Sequence, residues 1–390
     1  MNAAAPVTSA PRAGWRRARA GTAAAFAAQG LLFAVLLTHL PQFKDRWGFD
    51  DTAVSLVVLL VSAAAGAGSV VAEHVARRAG SEVALRAGLV VIAAGAVGVA
   101  FASVPALGVL AFAVWGLGVG AVDAGSNMQA VVVQHAYGRS ILTSFHAVWS
   151  AGGIAGAGWV ALSERVHVPL ATSVLAGAGA VVVLLVLAWG AMVHGAPEAV
   201  EGPLPVPWRP VLLLGAAMVC FYVADGATSN WSAVYLRDGL GASGSTAAVG
   251  YGLYQATSLL ARLGGDHVVR RVGIVATVRI VAVIGVCGFV LVVVAGGPWV
   301  AAAGFAVVGL GLPVVAPLCF SAAGALAPGR ADAIVARVNV FNYAGSVVGG
   351  VSVGLIGASS LRFGFLLPLV LAGALLGLAR AFAVRPQVTG

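Results

Sequence analysis

Charge is what this sequence has least of. Asp, Glu, Lys and Arg make up 9% of its 390 residues, while 60% are hydrophobic; soluble chains carry about a quarter charged residues. That scarcity excludes an ordinary soluble domain, because an interior so apolar needs lipid as its solvent. Lysine occurs once, as Lys44. Cys220, Cys287 and Cys319 all fall inside apolar runs, so they read as small hydrophobes rather than a disulfide or a metal site. No CxxC, HExxH, Walker-type loop or nucleophile elbow is present. Metal, nucleotide and acyl-transfer chemistry therefore have no foothold; no cofactor is expected, and the chain does not read as an enzyme. No polar stretch is long enough for a soluble domain.

What the sequence does have is apolar runs of about 20 residues, the length that spans a bilayer as helix. There are twelve, over 21–40, 51–74, 84–103, 106–134, 141–163, 169–192, 210–234, 246–265, 275–296, 299–324, 333–357 and 361–384. They predict an all-α membrane protein.

The runs are organised by a duplication. EHVARRAG at 73–80 returns as DHVVRRVG at 266–273, an offset of 193. The same offset pairs Lys44-Asp45 with Arg237-Asp238, Gly48 with Gly241, Arg86 with Arg279, Gly116-Leu117-Gly118 with Gly309-Leu310-Gly311, and Gly152 and Gly156 with Gly345 and Gly349. Six runs per repeat is an even number, so both halves enter from the same side as parallel repeats. The expected division is an N-terminal six-helix bundle over 1–195, a cytoplasmic linker over 196–209 stiffened by Pro197, Pro203, Pro205 and Pro207, and a C-terminal bundle over 210–390. A cleaved signal peptide over 1–40 is not expected, since the first helix has a counterpart in the second half.

Basic residues set the orientation. With the N-terminus inside, only Lys44, Arg46, Arg165, Arg237 and Arg362 face out, leaving 17 of 22 Lys and Arg on the cytoplasmic side, Arg262 among them. Both termini are then cytoplasmic, and the net charge of +9 faces the anionic leaflet of the cytoplasmic membrane rather than a nucleic acid.

Two stretches carry a family resemblance. GLGVGAVDAGSNMQAVVVQHAYGRSILTSFHAVWSAGGIAG (116–156) and VADGATSNWSAVYLRD (223–238) resemble helices 4–5 and helix 7 of fucose-permease-like and YbjJ-like bacterial transporters. The twelve-run, two-repeat plan resembles the major facilitator superfamily as a whole. The resemblance implies that helices 1, 4, 7 and 10 line a central cavity. The sequence also departs from the pattern. Arg77 and Arg270 stand where the superfamily places an Asp, with Glu73 and Asp266 one turn earlier; Asp225 replaces the branch's Glu, and Asn230 its Asp.

Only Asp123 and Asp225 are acids well inside apolar runs, where a carboxylate costs a few kcal/mol (roughly) unless paired, hydrated or protonated. Asp123 and Asn127 share a helix face, and His146 on the next helix is placed to join them; a packing network is the other reading of these three. Asp225 is followed by small and polar residues, including Ser229 and Asn230, which makes it the leading candidate for a substrate or proton site. Gln29, Tyr254, Asn339 and Asn342 are further candidates, each equally readable as an interhelical hydrogen bond. Glu73, Arg77, Arg86, Asp266, Arg270 and Arg279 are expected to form cytoplasmic charge locks, against a bland reading as solvated positive-inside pairs. The glycine pairs of helices 5 and 11 let backbones approach closely and are expected to slide past the opposite half, with packing alone a sufficient explanation.

The combined expectation is a monomeric secondary transporter in the bilayer, moving a small molecule by alternating access and coupled to protons. The alternatives are a proton-driven efflux pump for amphipathic compounds and, remotely, a non-transporting sensor. Because no spanning run carries a central Lys or Arg, a strongly anionic substrate is disfavoured.

Overall fold

The computed structural model describes residues 12–49, 51–194, 206–242, 244–327, 331–357 and 360–383. Most of the expected linker, and Arg330 and Arg385 of the basic set, lie outside them. The described residues are helical, with no strand. The helices are α1 (Arg12–Thr38), α2 (Leu40–Trp47), α3 (Asp51–Ala79), α4 (Ser81–Phe101), α5 (Pro105–Tyr137), α6 (Leu142–Arg165), α7 (Leu170–Ala188), α8 (Trp208–Val234), α9 (Gly244–Val272), α10 (Ile274–Val294), α11 (Pro298–Gly311), α12 (Val315–Leu326), α13 (Ala331–Ile356), α14 (Leu361–Gly364) and α15 (Leu366–Leu378).

Nine helical stretches among the described residues are long and apolar enough to cross a bilayer. Three more helices, α6, α9 and α13, are as long at 24, 29 and 26 residues but more polar, and they carry His146, Tyr254 and Asn339. The tenth apolar run is one span built from α11 and α12 around a short 3-10 turn, Leu312–Val314, where Pro313 cannot donate to the helical ladder. The sequence reading missed α2, a short helix with Pro41 in its first turn that ends at Gly48. The first apolar run simply stopped before it.

The duplication is visible in the backbone. Adding 193 to the bounds of α3 and α4 gives those of α9 and α10, and Pro105, the start of α5, maps onto Pro298, the start of α11. Two pairs of left-handed or positive-φ glycines keep the same offset: Gly48 (φ 63°) with Gly241 (68°), and Gly80 (100°) with Gly273 (82°). An L-side chain rarely adopts such backbone, so these turns are fixed by glycine in both copies.

The chain forms two compact units. Among the described residues, the first holds 12–141, 148–194 and 331–336, and the second holds 142–147, 206–327 and 337–383. In the first, Trp115 is buried with Phe33 and Phe112 at ring distances of 5.7 and 6.0 Å. In the second, Phe365 gathers Tyr235 and Phe305, both at 5.3 Å. Large apolar side chains such as Val186, Leu187, Val294 and Val370 remain exposed, as lipid-facing positions should.

The paired glycines pack each helix within its own unit. A Cβ on Gly152 or Gly156 would lie 2.3 Å from the carbonyl oxygen of Ala27 or Leu31 in α1. One on Gly349 would lie 2.5 Å from that of Val223 in α8, and one on Gly345 would lie 2.8 Å from the Tyr222 Cβ. These contacts give the glycines a packing role, α6 on α1 and α13 on α8.

Candidate functional site

The second unit holds a polar cluster built by α8 and α9. Asp225 is 17 residues into α8, about 26 Å along its axis, and Tyr254 is 18 residues from the end of α9, about 27 Å. The matching depths bring them together: the Tyr254 hydroxyl donates to Asp225 Oδ1. Tyr254 is 1% exposed, so the pair sits among apolar helices where an unpartnered carboxylate would be costly. Tyr251, three residues earlier on the same face, hydrogen-bonds to Ser229. Asn230 turns back to donate to the Gly226 carbonyl (2.8 Å). The position of Tyr254 is fixed from behind by Gly309, where a Cβ would come within 2.5 Å of the Tyr254 carbonyl oxygen.

Sequence reasoning missed one member. Arg262 lies two turns beyond Tyr254 on α9, and its charge reaches Asp225, Tyr251 and Tyr254. It was counted as a basic residue at a helix end. The signal was the 251, 254, 258, 262 spacing, which puts Tyr251, Tyr254, Ser258 and Arg262 on one helical face.

The first unit has its own carboxylate. Asp123 of α5 accepts a hydrogen bond from Gln29 Nε2 of α1 at 2.8 Å, and Gln29 also reaches the Val119 carbonyl at 3.5 Å. Asn127 donates its side-chain amide to the Asp123 backbone carbonyl at 2.9 Å. His146 belongs to the second unit, its ring parallel to that of Phe320 at 6.1 Å and within reach of the Arg262 charge. Asn339 is fully buried, and Asn342 accepts from Ser346 at 3.4 Å.

The residues expected at a cytoplasmic gate divide by role. Asp266 is 5% exposed and accepts hydrogen bonds from the backbone amides of Thr143 (3.2 Å) and Ser144 (2.9 Å), at the start of α6. A carboxylate there satisfies orphan amides and meets the positive end of the helix dipole. Glu73, equally buried, pairs with exposed Arg77 at 3.9 Å. Arg86 is anchored inside the first unit, donating to the Trp189 carbonyl (2.6 Å), lying 3.1 Å from His194 Nε2 and stacking on the Trp189 ring. Arg270 and Arg279 are exposed.

A further network, unsuspected from sequence, ties the turn after α1 to α6 and α7. His39 is 1% exposed, with Nε2 at 2.9 Å from Ser173 Oγ and Nδ1 at 3.0 Å from Gln42 Oε1. Gln42 donates onward to Glu164 (2.8 Å), and Ser163 meets Ser173 (3.0 Å). Burial lowers the His39 pKa from its ordinary 6.5, against the opposing pull of Gln42 and Glu164. Among the described residues no cluster of His, Cys, Asp and Glu could hold a metal.

A fold of paired six-helix repeats with carboxylates inside its spans is that of a membrane transporter, and this chain belongs to the major facilitator superfamily. Residues 3–158 match the profile described as Major Facilitator Superfamily. An uncharacterized MFS-type transporter of Yersinia pestis is 31% identical over 354 residues, 88% of this chain and 90% of that protein. The uncharacterized transporter y4wD of Sinorhizobium fredii is 28% identical over 90% of this chain and 93% of that one. Among solved structures, FucP in its outward conformation matches with a TM-score of 0.77 at 16% identity, over 93% of this chain and 98% of that one; FucP of E. coli is described as a fucose:proton symporter.

Proposed function

We propose that this protein is a proton-coupled secondary transporter that moves a small organic solute across the cytoplasmic membrane by alternating access, with Asp225 in its substrate or proton site. The observation that carries this is the Asp225–Tyr254 hydrogen bond between α8 and α9. The duplicated fold supplies an internal control for it. At the 193 offset, Asp225, Tyr251 and Tyr254 correspond to Leu32, Val58 and Val61. The first half builds the same helices with apolar residues there, so helix packing alone does not call for the polar group. Asp123 and Gln29 are likewise replaced by Ala316 and Tyr222. Asp225 and Asp123, the acids well inside the apolar runs, are thus each present in one half and absent from its copy, a pattern suited to a transported proton and a bound solute. The proposed organisation is a bundle over 1–195, a linker over 196–209 and a bundle over 210–390, working as a monomer with both termini cytoplasmic.

A thermal-shift screen of the purified protein tests the reading, using sugars, polyols, amino acids and amphipathic cations at pH 5.5 and 7.5. A ligand that binds the native state raises its stability by mass action. The reading expects stabilisation that changes with pH and is lost in Asp225→Asn. Amphipathic cations as the only hits would favour efflux, and hits equally strong in Asp225→Asn at both pH values would remove Asp225 from the site.

A further inference from the structure

We propose that the second unit carries a binding site for one anionic phospholipid, its phosphate held between Arg209 and Arg380 and its acyl chains lying along α8 and α15. Arg209 is 16 residues from Asp225 on α8, about 24 Å along the axis, so this site is separate from the one proposed for transport and does not depend on it.

Three spans have an end here. Trp208–Gly239 starts, while Pro298–Leu326 and Leu361–Phe382 finish, so their shared end marks a bilayer surface. A cavity of about 410 Å³ opens between them, the size of a small-molecule site. Leu213, Leu326 and Leu378 make its walls apolar, and its two charged residues are Arg209 and Arg380, both exposed. Leu212 and Leu376 are exposed beside it and carry the apolar surface on into the span. Trp208, exposed next to Arg209, has the Arg337 guanidinium over its ring at 5.7 Å, as an interfacial anchor held in place.

No acid answers these two arginines within the described residues. Residues 204–390 hold four acids. Asp225 accepts from Tyr254, Asp238 pairs with Arg237, Asp266 caps α6, and Asp332 belongs to the first unit. None of them lines the cavity. The acids nearest in sequence are Glu198 and Glu201 of the linker, outside the described residues. Two guanidiniums above an apolar floor at a bilayer surface suit a phosphodiester that carries acyl chains, because the guanidinium fork matches phosphate oxygens.

The first half serves as a control. Buried positions 174, 178, 181, 185 and 188 of its last span recur as 368, 372, 375, 379 and 382, an offset of 194, one residue more than in the earlier helices. Arg380 then corresponds to Val186, which is 66% exposed. The fold asks only for lipid contact at that position, so the guanidinium is an addition made in one copy. Gly377 corresponds to Val183, and on the cavity wall the glycine leaves open space around its Cβ position. Trp208-Arg209, by contrast, matches Trp15-Arg16 at the 193 offset, an anchor that both halves keep.

The test titrates dioleoyl phosphatidylglycerol into the delipidated full chain in detergent, beside zwitterionic dioleoyl phosphatidylcholine and soluble glycerol phosphate. Native mass spectrometry counts bound lipid, and a thermal melt follows stability. One phosphatidylglycerol should bind and raise Tm by about 3 °C or more, while neither comparison compound does. Arg209→Gln and Arg380→Val should each weaken binding about tenfold or more. Arg380→Val installs the residue of the first half, so it should fold. Gly377→Leu keeps both charges but fills the cavity, and should weaken binding as much. Arg271→Gln removes an exposed arginine elsewhere and should bind like wild type, as should the double variant Glu198→Gln with Glu201→Gln. The proposal is overturned if phosphatidylcholine binds as tightly, if glycerol phosphate competes at equal concentration, if Arg380→Val and Gly377→Leu bind like wild type, or if Arg271→Gln loses as much. Phosphatidylglycerol binding that appears only in the double glutamate variant would make the linker the occupant and overturn it too.

Discussion

The Tyr254 hydroxyl donates to Asp225 Oδ1, joining α9 to α8 deep in the second unit. The carboxylate therefore has one fixed neutral donor in place of a cation in direct contact. Tyr254→Phe deletes that donor and keeps the ring. Its expected cost is about 1–3 kcal/mol of stability, with the larger part if Asp225 stays ionised. Denaturation of the variant beside wild type at pH 7.5 checks this; an unchanged stability would mean that the Tyr254 hydroxyl is not needed to hold the carboxylate.

Gly309 sets the position of Tyr254 from the other side. Gly309→Ala places a methyl 2.2 Å from Thr257 Oγ1 and 2.5 Å from the Tyr254 carbonyl oxygen, so α9 must shift. Ligand binding at the Asp225 site should fall about tenfold or more, whereas Gly179→Ala, with open space around its Cβ, should leave it unchanged. Parallel binding isotherms of the two variants make the comparison.

The Asp266 carboxylate caps the first turn of α6. Asp266→Ala should cost about 1 kcal/mol, and Asp266→Asn, whose single carbonyl oxygen can accept from only one of the two amides, about half of that. Thermal unfolding of the two variants decides it. Equal destabilisation would mean that charge rather than capping matters here.

His39 predicts a pH dependence. Its folded pKa is below 6.5 because burial disfavours the charged ring, so the unfolded chain binds the extra proton first. The stability it contributes is fully present above pH 6.5 and is lost as the pH falls through the lowered folded value. Wild type should therefore lose more stability than His39→Gln between pH 7.5 and 5, measured by intrinsic fluorescence melts.

Much of this was legible in sequence for definite reasons. The spans follow from the length of apolar runs, and the duplication from one uninterrupted offset that also fixes Gly48 with Gly241 and Gly80 with Gly273. Asp225, Asp123, Gln29 and Tyr254 stood out because polar groups are costly in a span. Arg262 did not, because arginines at helix ends are common and sequence does not show that a long side chain faces inward. The partners of Asp266 were hidden for another reason: they are backbone amides, which every residue carries. The match of Arg86 to its copy Arg279 was legible, whereas its carbonyl partner on Trp189 lies in a segment without a counterpart signal. The His39 network joins residues 134 apart in sequence, at turns that no periodicity marks.

The central claim is that Asp225 couples proton movement to solute movement. The direct measurement is accumulation of the best-stabilising compound in proteoliposomes under an imposed pH gradient, beside exchange with no gradient. The account predicts gradient-driven accumulation by wild type, and exchange without accumulation by Asp225→Asn. Accumulation by Asp225→Asn to the wild-type level would contradict it.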